Sequence, residues 1–167
     1  MRKSPKEIEI ENEILAMLSG KTAMAASLIF KDEEAQALRN YANTVSIKRL
    51  GYNDHGPVHM NKTALNALIM FDILSKGGIK FNLEEEKIGN IEDSKVAVLI
   101  SSLLHDVGMS IGRENHELLG AVFAMPIIER TLTRIYDKDI EKKTIVHSLI
   151  IEGIAGHMAT QDIHSLE

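Results

Sequence analysis

The 167-residue sequence has no cysteine and no tryptophan, three prolines, and aromatic residues at only 4%. Without cysteine there is no disulfide framework and no thiolate metal site, which suits a reducing cytosol. So few aromatics leave little surface on which bases could stack. The formal net charge of −5 gives no global attraction for a polyanion, so a nucleic-acid partner is not expected. Uninterrupted apolar runs such as residues 96–100 are far short of a membrane span. The basic start (Met1-Arg2-Lys3) leads into glutamate-rich sequence without an apolar targeting segment. A cytoplasmic protein with no membrane partner is the expectation.

What is present is helical periodicity. At 44% hydrophobic and 26% charged, the chain has an ordinary globular composition, and its length suits a single domain. The spacing of Ile8, Glu11, Leu15 and Leu18, with Ile14 beside them, predicts a helix over 6–18, punctuated by Gly20. A short helical piece is expected over 23–30, then a helix to about Leu50 that Asp32 can cap. Residues 51–57 (Gly-Tyr-Asn-Asp-His-Gly-Pro) break the pattern, and Pro57 suits the first position of the next helix. That helix should reach about Ser75, with Leu65, Leu68, Ile69 and Ile73 on its buried stripe and Met70 as core filler.

Residues 77–93 read as a surface connection with one helical turn at most. Asp93 or Ser94 is then expected to cap a helix ending near Leu104, apolar nearly all round and therefore central. Residues 107–113 read as a loop. A helix from Glu114-Asn115 to about Tyr136 should kink or break at Pro126, with Met125 in the core. Asp139 opens the last helix, to about Ile154. Together these elements predict an all-α, irregular helical bundle.

All seven histidines fall between positions 55 and 164, most at helix ends or beside loops. Ligands from several helices converge only where the ends of those helices meet. The sharpest feature is His105-Asp106, at the end of the apolar helix and before Val107-Gly108. Imidazole and carboxylate are suitable ligands for divalent transition metals. His59 lies just inside the helix opened by Pro57, His116 just inside the helix after Asn115, and His157 near the end of the last helix. Together they point to a metal cluster. His147, on one face with Ile151 and Ile154, reads as a partly buried packing residue, and His164 as solvated.

Two stretches carry a resemblance. Arg49 through His59 (Arg-Leu-Gly-Tyr-Asn-Asp-His-Gly-Pro-Val-His) and Leu103 through Ser110 (Leu-Leu-His-Asp-Val-Gly-Met-Ser), with Asn115-His116-Glu117 following, resemble the HD-domain superfamily of metal-dependent phosphohydrolases, in its archaeal and bacterial form. The resemblance covers about residues 35–167, with residues 1–30 as an N-terminal helical arm. It implies an HD-type bundle, with His59, His105 and Asp106 as metal ligands and His116 and His157 as those of a second metal, which Asp106 would bridge. It further implies one or two divalent ions (Mn, Fe, Ni, Co, Zn or Mg) and hydrolysis of a phosphomonoester or phosphodiester, nucleotides first among the candidates. Asp106 and His105 would then act in catalysis. By position, Lys62 one turn beyond His59 reaches for a phosphate, Arg113 either clamps phosphate or stands solvated at the helix entry, His55 contacts substrate or orients a ligand, and Asp54 does the same or caps the helix.

The family pattern closes with a ligating Asp on a further helix. Residues 161–167 look like the lead-in to that helix, so this chain is expected to lack it, with Asp162 too early to stand in. The alternative is a non-catalytic regulatory module on a degenerate HD fold, forming a homo-oligomer through helix 6–18. The sequence offers no Glu-x-x-His pairs for a di-iron bundle, no zincin motif and no Gly-x-Ser-x-Gly.

Overall fold

A computed structural model describes residues 3–159 and 162–167. The readings that touch Met1, Arg2 and Gln161 lie outside the described residues. Among the described residues the chain is helical, without strands. Among the same residues no helix is long and apolar enough to cross a membrane.

The helix starts follow local chemistry. Helix α1 (Pro5–Ala16) begins where the Ser4 hydroxyl accepts the Glu7 N–H at 3.1 Å. Helix α2 (Gly20–Lys31) follows closely, and α3 (Glu33–Thr44) is capped by Asp32, which accepts the Ala35 N–H at 2.9 Å. A π-turn, Val45–Arg49, ends this segment. Helix α4 (Pro57–Lys76) has Pro57 in its first turn, as expected, and α5 (Asn82–Glu85) is a single turn.

Helix α6 (Ile91–Leu104) is capped by Asn90, not by Asp93 or Ser94. Asn90 accepts the Asp93 N–H while the Asp93 carboxylate accepts the Asn90 N–H, a reciprocal capping box that holds the entry tightly. A 3₁₀ turn, Val107–Ser110, occupies the expected loop. Helix α7 (His116–Tyr136) runs through Pro126 unbroken. The carbonyl that a proline deprives of a partner is four residues earlier, at Val122, and that residue is exposed to water. Helix α8 (Ile140–Gly156) opens at Asp139, which accepts the Lys142 N–H.

Helix α6 is the central element, packed between α4 and α8 and against α2. Its Leu99, Ile100, Leu103 and Leu104 are fully buried, each contributing about 1.5–3 kcal/mol of burial. Ile10, Ile14, Ala25 and Ile29 belong to the same continuous core. The N-terminal helices are therefore part of the bundle, and no packing boundary near residue 30 sets them apart as an arm.

On two helices the buried face only partly matches the one their periodicity suggested. On α1 the inner face is Glu7, Ile10, Glu11 and Ile14, while Ile8 is exposed. The two glutamates are drawn inward by Arg39, which is fully buried, and by Lys3, which pairs with Glu11 at 2.6 Å. Burial pushes the Arg39 guanidinium down to about 10, and Glu7 and Glu11 oppose that shift. Arg39 also donates to the Pro57 carbonyl at 3.1 Å and to the Asn61 side chain. It thereby fixes the turn of α4 that carries His59.

On α4 the buried stripe is Met60, Ala64, Leu68 and Phe71. Ile69, Met70 and Ile73 are exposed, as is Met125 on α7. Apolar residues surround much of α4, so the pattern left the phase of its buried stripe open.

Candidate metal centre

Each of the expected ligands sits where a helix begins or ends. His59 is in the first turn of α4, His105 follows the last residue of α6, His116 opens α7 and His157 follows α8. Asp106 lies between α6 and the 3₁₀ turn, with the irregular backbone (φ −99°, ψ 7°) that turns its carboxylate away from the helix direction. The close approach of Gly108 to α7 brings these ends together. A Cβ at Gly108 would overlap the His116 carbonyl and lie 2.5 Å from the Gly120 nitrogen. Only hydrogen at that position lets the 3₁₀ turn rest directly on α7.

The resulting cluster has a defined order. One Asp106 oxygen, Oδ2, is 3.1 Å from His59 Nε2 and 3.1 Å from His105 Nε2. The other, Oδ1, is 3.3 Å from His116 Nε2 and 3.5 Å from His157 Nε2. Within the pairs, the His59 and His105 Nε2 atoms are 3.3 Å apart, and those of His116 and His157 are 3.0 Å apart. Two three-ligand groups that could hold a metal share Asp106: His59, His105, Asp106 and Asp106, His116, His157.

Tautomers follow from the partners. His105 Nδ1 donates to the Ser102 carbonyl at 2.9 Å, His116 Nδ1 to Arg113 at 2.9 Å and His157 Nδ1 to Ile154 at 2.7 Å. A carbonyl can only accept, so each of these imidazoles carries its proton on Nδ1 and, when neutral, presents a lone pair at Nε2. The lone pairs of His116 and His157 cannot hydrogen-bond to each other. A shared cation or extra protons must separate them, and a cation is the partner that imidazole and carboxylate together suit.

Asp106 itself is buried, which opposes its ionisation. Where the surrounding imidazoles of His105, His116, His157 and His59 carry a proton on Nε2 they donate to it, overrule that and hold its carboxyl far below the usual carboxylate range. His59 is the most open of the four imidazoles, with 38% of its side chain exposed. Its hydrogen bond to Asp106 raises its pKa against the opposing effect of burial.

The remaining expected residues lie around this core in different roles. Arg113 is half-buried and donates to His116 Nε2 at 3.3 Å, with its other amine 3.6 Å from the Met158 sulfur. Lys62 is exposed one turn beyond His59 and acts on it electrostatically. His55 stacks obliquely on His59 at 5.5 Å between ring centroids. Its Nδ1 lies 3.0 Å from both the Asn53 carbonyl and the Ser46 hydroxyl, so the π-turn that buries Ser46 orients it. Asp54 accepts the Gly56 N–H at 2.9 Å and closes the turn into α4. Neither Asp54 nor His55 belongs to the ligand groups. His147 is partly buried, whereas Asp162 and His164 are exposed.

Several participants were not singled out from the sequence. Glu117 is buried, with Oε2 at 3.3 Å from His116 Nδ1. Its place directly after His116 was the available signal. Thr63, Ser101 and Ser102 line a recess of about 300 Å³ beside His59, His105 and His157. Nothing in helical periodicity distinguishes such serines from solvated ones.

No described protein family matches the chain, and no solved structure matches it. Over 149 residues it is 33% identical to an uncharacterized protein of Methanocaldococcus jannaschii, a stretch that makes up 89% of this chain and 57% of that protein. The chain thus spans little more than half the length of that relative.

Proposed function

We propose that this chain is a metal-dependent phosphohydrolase of the HD type, acting on a phosphomonoester or phosphodiester. The observation that carries this reading is Asp106, which turns one carboxylate oxygen to the His59–His105 pair and the other to His116–His157. A carboxylate so placed suits two divalent cations side by side, an arrangement used to clamp the oxygens of an in-line displacement at phosphorus. Each half offers three protein donors, which leaves coordination positions for water or substrate. Imidazole and carboxylate donors fit Mn, Fe, Ni, Co or Zn, and Mg less well.

Bound there, the cations would supply Lewis acidity, lowering the pKa of water and offsetting phosphoryl charge. The chain's own part is to orient. Three backbone carbonyls hold His105, His116 and His157 with Nε2 directed inward. The hydroxyls of Thr63, Ser101 and Ser102 line the recess in which the ester would lie.

The test is metal content by plasma emission on protein purified without chelator, with His105→Ala and Asp106→Ala alongside, followed by phosphatase assays on nucleotides and generic phosphoesters with a panel of metals. The reading expects about one or two ions per chain, loss of metal in Asp106→Ala, and turnover that disappears with it. Absence of metal after reconstitution would remove the catalytic assignment and leave the non-catalytic regulatory module. Turnover abolished by Asp106→Ala would eliminate that module.

A further inference from the structure

The recess beside His59 and His105 does not end at the histidines. Ser101, Ser102 and Gly153, which line it, also line a neighbouring cavity of about 250 Å³ between α4, α6 and α8. Gly153 keeps this passage shallow, because α8 lies so close to α6 there that a Cβ would meet Ser101 at 2.9 Å. Together the two compartments reach the size of an ordinary small-molecule site.

Their chemistry differs sharply. The first is walled by imidazoles and hydroxyls. The second is walled by Met70, Phe71, Leu74, Val98, Ile163 and Leu166. Phe71 is stacked on Phe81 at 4.0 Å between centroids, which gives that wall a rigid back. Met70, Leu74, Ile163 and Leu166 keep more than a third of their surface exposed, so apolar area remains for a ligand to cover.

Among the described residues no lysine or arginine lines either compartment. The ionisable group in the apolar one is Glu167, whose Oε1 accepts from the Leu83 N–H at 2.9 Å and the Ser94 hydroxyl at 3.0 Å. A second phosphate placed there would meet a carboxylate and no counter-charge.

From this juxtaposition we infer that the substrate is a phosphomonoester of an apolar alcohol, with its phosphate at the histidine cluster and its hydrocarbon body in the cavity walled by Met70, Phe71 and Leu74. The inference rests on the phosphohydrolase reading and narrows it away from nucleoside di- and triphosphates. In the reaction a water oxygen bonds to phosphorus and the bond from phosphorus to the alkoxide oxygen breaks. The alcohol leaves carrying a proton from the attacking water, and inorganic phosphate remains.

The experiment measures kcat/KM on metal-loaded protein for methyl, butyl, hexyl and octyl phosphate and for nucleoside mono- and triphosphates. Vesicles carrying a diacyl phosphatidic acid provide a membrane-presented arm. Burying hydrocarbon should raise kcat/KM about twofold to fourfold per methylene until the cavity is filled. Met70→Glu changes an exposed position, so the fold is preserved. It should flatten the chain-length dependence, bringing kcat/KM for octyl phosphate down towards that for methyl phosphate. Preference for octyl phosphate over the vesicles would identify a soluble ester as the source, and the reverse a lipid phosphate.

If methyl phosphate or nucleotides are hydrolysed as well as octyl phosphate, the phosphohydrolase reading stands and the apolar substrate is overturned. If Met70→Glu dissociates an oligomer without altering chain-length dependence, the face is an interface between copies and the inference falls. If no ester turns over with any metal, both fall together.

Discussion

The two halves of the histidine cluster use the same residue types but are held very differently. His116 is 1% exposed, donates through Nδ1 to the Arg113 carbonyl, and receives the Arg113 guanidinium at Nε2. His59 is the open member of the other half, held against Asp106 and beside His55. His116 is thus organised by backbone and a fixed cation, whereas His59 opens onto the recess that leads to the apolar cavity and that His105 and His157 also line. A preorganised imidazole beside an accessible one is the division that the proposed function asks for, one part to retain metal and the other to admit substrate.

The largest effect should come from removing what the halves share. Asp106→Ala is expected to weaken metal binding at both by at least about 100-fold, since even outer partners of metal ligands cost 10–100-fold. Calorimetric titration with Zn or Mn checks this, and loss of only one ion would break the comparison. Gly108→Ala should come next. With a Cβ overlapping the His116 carbonyl, it should cost about 1–3 kcal/mol or more in urea unfolding. Gly112→Ala, where a Cβ meets nothing within 4 Å, should stay within about 0.5 kcal/mol of wild type.

His116→Ala and His59→Ala then compare the halves directly. Each should lose one ion by plasma emission. His116→Ala should also destabilise the metal-free fold by about 1–3 kcal/mol, because it empties the space of a buried imidazole and leaves the Arg113 carbonyl without its donor. The exposed His59 should cost less than about 0.5 kcal/mol. Equal costs would show that the halves are not held differently.

Arg113→Gln should have a small effect, about tenfold or less given the strength of a half-exposed charge. It should tighten metal binding at the His116 half, checked by calorimetric titration, since the guanidinium no longer competes for Nε2.

The smallest expected effect is on pH dependence. Asp106 raises the pKa of His59 above its unfolded value, so the stabilisation from this pair is complete below the unfolded pKa. It is lost as pH rises through the raised value. The metal-free protein should therefore melt at a lower temperature at pH 8 than at pH 6. Metal binding must displace protons from imidazole, so its affinity should rise over the same interval. Parallel trends in the two would contradict the assignment of His59 as a ligand.

Much of this site was legible from residue order. His59, His105, Asp106, His116 and His157 all lie at predicted helix ends, and the structure brings all five together. Less legible were features that depend on packing between distant segments. Periodicity could not show that Glu7 turns inward, because the charge it faces is Arg39 on another helix. Nor could it give the phase of α4, where Met70 and Ile73 face outward while Met60 and Leu68 are buried. Arg113 read as a phosphate clamp, yet it rests on His116, a contact set by the turn into α7.

What the sequence determined by itself was the set of helices and the chemistry at their ends. Caps such as Ser4, Asp32 and Asp139, and Pro57 in a first turn, act within three or four residues of where they stand. What only the tertiary structure decided was which ends meet and in what order. That depends on close approaches such as Gly108 against α7 and Gly153 against α6. It also depends on a shared carboxylate with each oxygen turned to its own pair of imidazoles. Such contacts join residues far apart in sequence, and only packing between helices sets their distances.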